Sequence, residues 1–584
     1  MLDLVDRSVL VGGLELWHGV DHREPIVEDR LKAKVCEILT LPSVRFFAPP
    51  VEDDAPGARM AHVGVVEFPT WYLAQVDRTI ERAGRVYRTR PLVPGKHLDG
   101  GKWIGDDRKK VDVVPVRFVQ ACRRGHISDI DWYAFVGADR GEMLWLDEGG
   151  AGNDFAEIYV RRERGGPPRQ LADAAIIKDR VLGTCRGEMP WLGGFERETC
   201  SEANRLLTRS ASNAYFPQVQ SVISIPDDAA ALRDAVEGVY EDFLAEVSGV
   251  EDIERERRKP KVKRALEGFV AADVWREIER RRTGKEPVPE PVKSVEVRTL
   301  RRTNHAAPPA ILRDEVQFSA RARQTTGLAS HLSAVIDRIV LVDRLREVVA
   351  QVGFTRFEAA APDVNGDLSL GVERARISHD LRWLPAIDNK GEGVFLGVAD
   401  SAITAWLARP TVVARGRKLE AAFDTWRKTH GVLKAQFPGL PFFALHSLAH
   451  LLITEVSLSC GYTASAIRER VYAGPDGHGI LLYTGGSGSE GTLGGLVEVG
   501  RQIEHHVERA LAAGRLCSND PVCAEHEPDQ AYEDRFLHGA ACHGCLLIAE
   551  TSCERFNQHL DRALVIPTLR DPDCALFGLP AGTS

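Results

Sequence analysis

The sequence has little cysteine and lacks long apolar runs. Only 11 of its 584 residues are cysteine, too few for a disulfide scaffold in a chain of this length. No apolar run approaches the roughly 20 residues that a membrane-spanning helix requires. The first residues, "MLDLVDRSVLVGG", carry early acids and no basic segment before an apolar one, so we expect no export signal. These absences predict a cytoplasmic protein that does not contact a membrane.

Positive charge is also in deficit. The chain has 75 Lys and Arg against 84 Asp and Glu, for a net charge of −9. Proteins that attract nucleic acid by bulk charge are usually basic, so any DNA contact here requires a local patch or a partner. With 44% hydrophobic and 27% charged residues, the composition is that of a globular protein, and the length allows about three or four domains.

Several motifs of catalysis are missing. The sequence contains no G-x4-G-K-[ST] loop, which excludes a P-loop ATPase core. It also lacks a G-x-S-x-G nucleophile elbow and the set of protein-kinase motifs. These absences argue against an ATPase of the P-loop class.

The pattern along the chain predicts a mixed, multidomain α+β or α/β fold. Residues 1–225 contain short β-type runs between Pro, Gly and Asp, and predict a loop-rich mixed α/β domain. Residues 226–310 predict a charged helical insertion followed by a Pro-rich connector. Its charges favour a solvated helix face over a surface for a partner or for phosphates. Residues 311–584 predict a C-terminal α/β domain with a zinc-stapled terminus.

Within the C-terminal domain, four segments carry clear patterns. "GLASHLSAVIDRIVLVDRLREVVAQVGF" predicts two consecutive helices, and "ISHDLRWLPAI" with "GEGVFLGV" predicts two strands around a turn. "PFFALHSLAHLLITEVSLSCG" predicts a long apolar helix. "GILLYT" predicts a buried strand, and "LGGLVEVGRQIEHHVERALAAGR" predicts an amphipathic helix.

The strongest chemical signal is a cysteine cluster near the C-terminus. Cys542 and Cys545 form a C-x2-C knuckle, Cys553 follows eight residues later, and Cys517 and Cys523 lie upstream. Four thiolates close the tetrahedral shell of a structural Zn²⁺ and leave no position for a substrate water. Five candidates compete for four places: Cys542, Cys545 and Cys553 are the firmest, with Cys517 or Cys523 as the fourth. A thioredoxin-like pair and an iron–sulfur cluster are the weaker alternatives.

A glycine-rich turn follows the predicted strand "GILLYT". Gly486, Gly488 and Gly491 fit a G-x-G-x-x-G pattern between a strand and a helix, the position of a dinucleotide fingerprint. The acid expected about twenty residues later at the end of a second strand is missing. The pattern therefore favours a tight strand-to-helix turn. A nucleotide site and an anion site at the helix N-terminus are the weaker alternatives.

Two histidines and a short Cys–His motif are weaker signals. His446 and His450 share one helix face, as zincin ligands do, but no Glu follows His446, so packing histidines are favoured. Cys122 and His126 form a C-x3-H pair, and two ligands alone do not make a zinc site. The neighbouring acids Asp129 and Asp131 can bind a cation or cap a turn, and a structural motif around Trp132 is favoured.

Five stretches taken together resemble the DrmB family, accessory subunits of the DISARM antiphage system. They are "RFVQACRRGHISDIDW", "GEGVFL", "LHSLAHLL", "LYTGGSGSEGTLGGL" and "HGAACHGCLLIAETSCERFNQHLDR". The resemblance runs in order over nearly the whole chain, and the last stretch, with Asn557, Asp561 and Arg562, is its most specific part.

The resemblance implies a non-catalytic partner of a DrmA-like superfamily 2 helicase. The resemblance implies that the heterodimer engages foreign DNA and that this chain reaches DNA through the complex. It also implies that the chain supports the ATP-driven action of the helicase and that the system restricts phage alongside a methyltransferase. The family's four-cysteine zinc site carries over to Cys542, Cys545, Cys553 and one of the upstream pair. Relatives often carry a further cysteine pair where this chain has Ala74 and Asp77, so Cys122 and His126 resemble remnants of a second site without metal.

Two other functions stay open as alternatives. The first is a metal-dependent nuclease acting on phage DNA, in which Asp129, Asp131 or Asp388 would hold the metal. Asp388 lies in a "DNK" element. The Gly486–Gly491 turn predicts a nucleotide-binding sensor.

Overall fold

A computed structural model gives the fold. It describes residues 1–4, 7–20, 23–51, 61–105, 108–150, 154–196, 199–225, 228–283, 290–305, 317–359, 363–366, 368, 373–485, 495–528 and 537–578. The elements are those of a mixed, multidomain fold of helices and sheets, as predicted.

A seven-stranded sheet, here called the C-terminal sheet, organises the second half of the chain. Its main path runs in the order Phe216–Ile223, Ile336–Thr355, Trp383–Val398, Gly477–Thr484 and Ile467–Gly474, all antiparallel. Ser319–Arg323 also pairs with the second of these strands, and Arg45–Phe47 runs parallel to the third. Two strands of the sheet thus come from the N-terminal region predicted as a separate domain.

The helix pair predicted over residues 327–354 is wrong. A short helix, Ser330–Ser333, leads into one strand of 20 residues, Ile336–Thr355. This strand is paired along both edges and largely buried on both faces. Its apolar runs are interrupted by charged pairs and do not alternate with period 2, and periodicity cannot distinguish such a pattern from a helix.

The turn predicted between "WLPAI" and "GEGVFLGV" is wrong for a related reason. Trp383–Val398 is one uninterrupted strand of 16 residues. Gly391, the first residue of "GEGVFLGV", lies where the neighbouring strand approaches closely: a Cβ at this position would stand 1.8 Å from the carbonyl oxygen of Thr484. This glycine therefore permits strand packing.

Helices cover one face of the C-terminal sheet and enclose the largest apolar core. The predicted long helix is confirmed as Leu440–Cys460. The predicted amphipathic helix is split into Gly495–Arg501 and Ile503–Gly514. Asp400–Leu407 and Pro410–His430 complete this layer.

One described helix has the length and apolar composition that a membrane span would need. It is Leu440–Ser459, and 78% of its most apolar window is buried inside the protein. Its burial is that of a core helix.

The N-terminal region contains a second sheet of seven strands. They are Trp71–Ala74, Thr79–Arg82, Arg85–Pro94, Val113–Pro115, Leu144–Glu148, Ile158–Arg162 and Arg169–Gln170. A three-stranded sheet beside it joins Phe118–Ala121, Ile127–Ser128 and Arg205–Thr208. Smaller ladders are Leu2–Asp3, Ser8–Val11 and Val65–Glu67; Trp17–His18 and His62–Val63; Trp103–Ile104 and Lys110–Val111; and Glu188–Met189 and Gly194–Phe195. The helices of this region are Asp29–Leu39 and Trp132–Val136.

The insertion is helical, as predicted, and has a small core of its own. Its helices are Asp228–Val239, Tyr240–Leu244, Val250–Glu256, Pro260–Ala265 and Ala271–Thr283. The prediction of a Pro-rich connector is wrong over part of its length, because Val292–Arg302 is a helix. That helix packs on the C-terminal sheet through Val297 and Leu300.

Candidate metal centres

Four cysteines of the C-terminal region converge on one point. Cys517, Cys523, Cys542 and Cys545 place their sulfurs within 4.8 Å of one another. Three Sγ–Sγ distances are 3.4 Å for Cys517–Cys542, 3.7 Å for Cys523–Cys545 and 3.7 Å for Cys542–Cys545. Zn–S bonds of about 2.3 Å in a tetrahedron place sulfurs about 3.8 Å apart. All four are free thiols, so the spacing fits a zinc site of four thiolates, here called the four-cysteine site.

The local backbone at the four-cysteine site is arranged for thiolates. The amides of Asn519 and Gly544 point at the sulfurs of Cys517 and Cys542, at 3.4 and 3.3 Å. N–H groups two residues after a cysteine stabilise negative charge on its sulfur. The segment "CHGC" therefore supplies two of the ligands, Cys542 and Cys545, and also the Gly544 amide that stabilises the thiolate of Cys542.

The thiols of the four-cysteine site also differ in acidity. A hydrogen bond with Cys545 lowers the pKa of Cys523 to about 6. Burial raises the pKa of Cys517 to about 11. Zinc binding requires all four sulfurs as thiolates, so it displaces any thiol protons at this site.

Cys553 lies in a different cluster from the four-cysteine site. The sequence predicted Cys553 as the third ligand beside the knuckle, with one of the two upstream cysteines as the fourth. In the structure both upstream cysteines join the knuckle instead. The sulfur of Cys553 lies instead among His446, His450 and Glu469. Spacing alone could not show this, because the chain between Cys545 and Cys553 turns away from the knuckle before Cys553 is reached.

The stretch "NQHLDR" braces the loop that carries the knuckle. Asn557 accepts a hydrogen bond from the amide of Ile548 at 3.0 Å and donates one to its carbonyl at 2.8 Å. The fully buried carboxylate of Asp561 accepts from the amide of Ala540 at 3.0 Å and from Arg415 Nε at 2.8 Å. The most specific residues of the predicted family resemblance thus hold the four-cysteine site in place.

A second cluster lies in the N-terminal region and joins residues that the sequence did not connect. Cys122 and His126 meet Cys185 and Cys200, with all four donor atoms within 4.8 Å and all four residues buried. Cys122 Sγ lies 3.3 Å from His126 Nδ1 and 4.0 Å from Cys200 Sγ. The amide of Gly187 donates to Cys185 Sγ at 3.3 Å.

Three cysteines and one histidine are a complete structural zinc set, so Cys122 and His126 belong to a larger group of metal donors than the isolated pair that the sequence suggested. His126 directs Nδ1 to the thiols and places Nε2 2.8 Å from the Glu196 carboxylate. A carboxylate on the outer nitrogen fixes the tautomer and orientation of a ligating histidine. No sequence signal marked Cys185 and Cys200, since isolated cysteines on separate loops form no motif.

A third cluster contains His446, His450, Glu469 and Cys553, all buried, with donor atoms within 4.8 Å of one another. The two histidines lie one turn apart on Leu440–Cys460, as predicted, with ring centroids 4.5 Å apart. The sequence favoured histidines that only pack against apolar neighbours. In the structure their rings also face the carboxylate of Glu469 and the sulfur of Cys553. Glu469 carried no motif in the sequence, because its strand reaches the histidines only in the folded sheet.

The acids predicted for the alternative nuclease have structural partners. Asp129 accepts from the amide and hydroxyl of Thr70, and Asp131 caps Trp132–Val136 by accepting from the amide of Ala134 at 3.1 Å. Asp388 accepts from Arg346 Nε at 2.9 Å. In the described parts of the chain, none of the three acids belongs to a group of three or more metal donors. Gly486, Gly488 and Gly491 lie outside the described residues.

Comparison with known proteins agrees with the C-terminal site. The family model described as the MrfA Zn-binding domain matches residues 448–546, which include all four ligands of the four-cysteine site. A domain of unknown function (DUF8724) matches residues 1–216, which include the N-terminal cluster. The match to the MrfA Zn-binding domain and the tetrahedral spacing of the four cysteine sulfurs together identify zinc as a cofactor of this chain.

Similarity to one curated relative extends over both chains. The DISARM protein DrmB of Bacillus paralicheniformis (strain ATCC 9945a / NCIMB 11709 / CD-2) is 29% identical over 594 residues, covering 97% of this chain and 98% of the relative. The resemblance predicted from the sequence is confirmed by this match.

Proposed function

We propose that this chain, which is similar to a DISARM protein from end to end, is an accessory subunit in bacterial antiphage defence. In this proposal it forms a cytoplasmic heterodimer with a DrmA-like superfamily 2 DNA helicase. The complex engages foreign DNA, and the chain supports the ATPase activity of the helicase without catalysing a reaction itself. The observation that carries the proposal is the match over 97% of this chain and 98% of the relative.

The nature of the metal clusters supports a structural role. Each of the three groups of metal donors found among the described residues offers four protein ligands. Four protein ligands close the tetrahedral shell of zinc, whereas a catalytic zinc keeps one position for water or substrate. We include the N-terminal cluster of three cysteines and His126 in this proposal as a second structural zinc site.

The arrangement of the acids gives the nuclease alternative little support. A two-metal or one-metal nuclease needs carboxylates that converge on a shared cation. Asp388 is held by a buried arginine of the neighbouring strand, and Asp131 serves as a helix cap. Their interactions account for these residues without catalysis.

Co-purification tests the partnership. When the chain is co-expressed with a DrmA-like helicase, we expect a single 1:1 species in size-exclusion chromatography with light scattering. A tagged, unrelated helicase of the same superfamily is the control. Recovery of the chain as a monomer in both cases would count against the proposal. Cleavage of linear DNA by the purified chain with Mg²⁺ or Mn²⁺ would favour the nuclease instead.

A further inference from the structure

The buried cluster of His446, His450, Glu469 and Cys553 has the geometry of a metal site separate from the four-cysteine site. Glu469 Oε1 lies 2.9 Å from His446 Nε2 and 3.4 Å from His450 Nε2, and Cys553 Sγ lies 3.1 Å from His446 Nε2. Only His450 and Glu469 of the four fall inside the region matched by the MrfA Zn-binding domain, residues 448–546.

The outer nitrogens of both imidazoles are already engaged by backbone carbonyls. His446 Nδ1 lies 3.2 Å from the carbonyl oxygen of His559, and His450 Nδ1 lies 2.8 Å from that of Leu546. A carbonyl oxygen only accepts hydrogen bonds, so each Nδ1 carries the proton. A ring with its single proton on Nδ1 turns the lone pair of Nε2 toward the cluster. This is the orientation that metal-ligating histidines adopt.

Two backbone amides point at the sulfur of Cys553. It accepts hydrogen bonds from the amides of Arg555 at 3.3 Å and Asn557 at 3.2 Å. The amide two residues after the cysteine also points at the sulfur of Cys517 and of Cys542 in the four-cysteine site. Amide donors stabilise charge on sulfur.

Without a cation, lone pairs face one another in this cluster. His450 Nε2 and Glu469 Oε2 are buried and make no hydrogen bond. Unsatisfied buried polar atoms are costly and call for an explanation such as an ion. One thiolate, one carboxylate and two neutral imidazoles carry two negative charges, and a divalent cation makes the site neutral, as full burial demands.

We propose that His446, His450, Glu469 and Cys553 bind a structural Zn²⁺. Imidazole, carboxylate and thiolate are all established zinc ligands, at about 2.0–2.3 Å. Such a site joins the helix Leu440–Cys460, the strand Ile467–Gly474 and the C-terminal segment. It pins the residues after the knuckle to the central core, whether or not the chain binds a helicase.

Zinc counting on the full-length chain tests the proposal. We expect His450→Gln and Glu469→Gln each to lower bound zinc by one equivalent per chain relative to the unaltered protein. His505→Gln, an exposed histidine on Ile503–Gly514, is the matched control and should keep the full count. Cys185→Ser should remove one equivalent from the N-terminal cluster, which shows that single losses are resolved. Unchanged zinc in folded His450→Gln and Glu469→Gln variants overturns the proposal.

Zinc K-edge X-ray absorption on the unaltered chain gives a second test that does not depend on folding of a variant. The three clusters together predict about 2.7 sulfurs per zinc, and the four-cysteine site with the third cluster alone about 2.5. Zinc only in the two cysteine-rich clusters predicts about 3.5, and zinc only in the four-cysteine site about 4. An average below about three sulfurs supports the site, and a value above it overturns it.

Discussion

Cys545→Ser is expected to release one zinc ion per chain and to unfold the C-terminal segment. Structural zinc contributes an apparent free energy of about 10–16 kcal/mol to folding in small zinc domains. Typical domain stability is only about 5–15 kcal/mol. Cys545 shares the site with three other thiolates and borders the main core, so the change should expose that core. Metal analysis, soluble yield and limited proteolysis after residue 514 measure the effect.

Cys36→Ser is the matched control for this experiment. Cys36 is a half-buried free thiol in the helix Asp29–Leu39 and belongs to none of the described metal groups. It should retain the zinc content and the protease resistance of the unaltered chain. A Cys545→Ser protein that keeps its zinc and remains resistant would contradict the assignment of the four-cysteine site.

Asp561→Asn should destabilise the same region by about 3 kcal/mol, because it leaves Arg415 partly uncompensated in a buried position. The side chain of Asp561 is fully buried and that of Arg415 is 3% exposed, with Arg415 Nε 2.8 Å from the Asp561 carboxylate. Arg415 retains its second partner, Asp571, at 3.0 Å, which limits the loss. Thermal unfolding and hydrogen exchange of residues 537–578 measure the change.

An exposed ion pair provides the comparison. Asp380→Asn, which breaks a pair with Arg382 whose side chains are 79% (Arg382) and 65% (Asp380) exposed, should change stability by no more than about 0.5 kcal/mol. The double variant Arg415→Met/Asp561→Asn should cost less than the sum of its single changes, since each removes the same interaction. Equal, small effects of Asp561→Asn and Asp380→Asn would show that the buried pair does not hold the knuckle loop.

Local signals in the sequence predicted part of this molecule well. The C-x2-C knuckle of Cys542 and Cys545 is a compact motif, and both residues lie in the four-cysteine site. The helix Leu440–Cys460 was evident because its apolar run is too long for an ordinary strand. In both cases the deciding information lies within a few turns of chain.

Features that depend on distant chain segments could not be predicted in this way. The strand Ile336–Thr355 is buried by neighbours on both edges, and its apolar sequence fits a helix equally well until those neighbours are known. Cys185 joins Cys122 although the two lie far apart in the sequence. Cys553 was grouped with the nearest cysteines in sequence, whereas the folded chain carries it to histidines on the core helix.

The DNA-dependent ATPase rate of a DrmA-like helicase tests the proposed function most directly. It should be measured for the helicase alone, for this chain alone, and for both mixed at equal concentration with and without DNA. We predict no hydrolysis by this chain and a higher DNA-stimulated rate for the mixture than for the helicase alone. An unchanged rate in a mixture that contains fully zinc-loaded chain, or hydrolysis by the chain itself, would contradict the proposed role as a non-catalytic helicase partner.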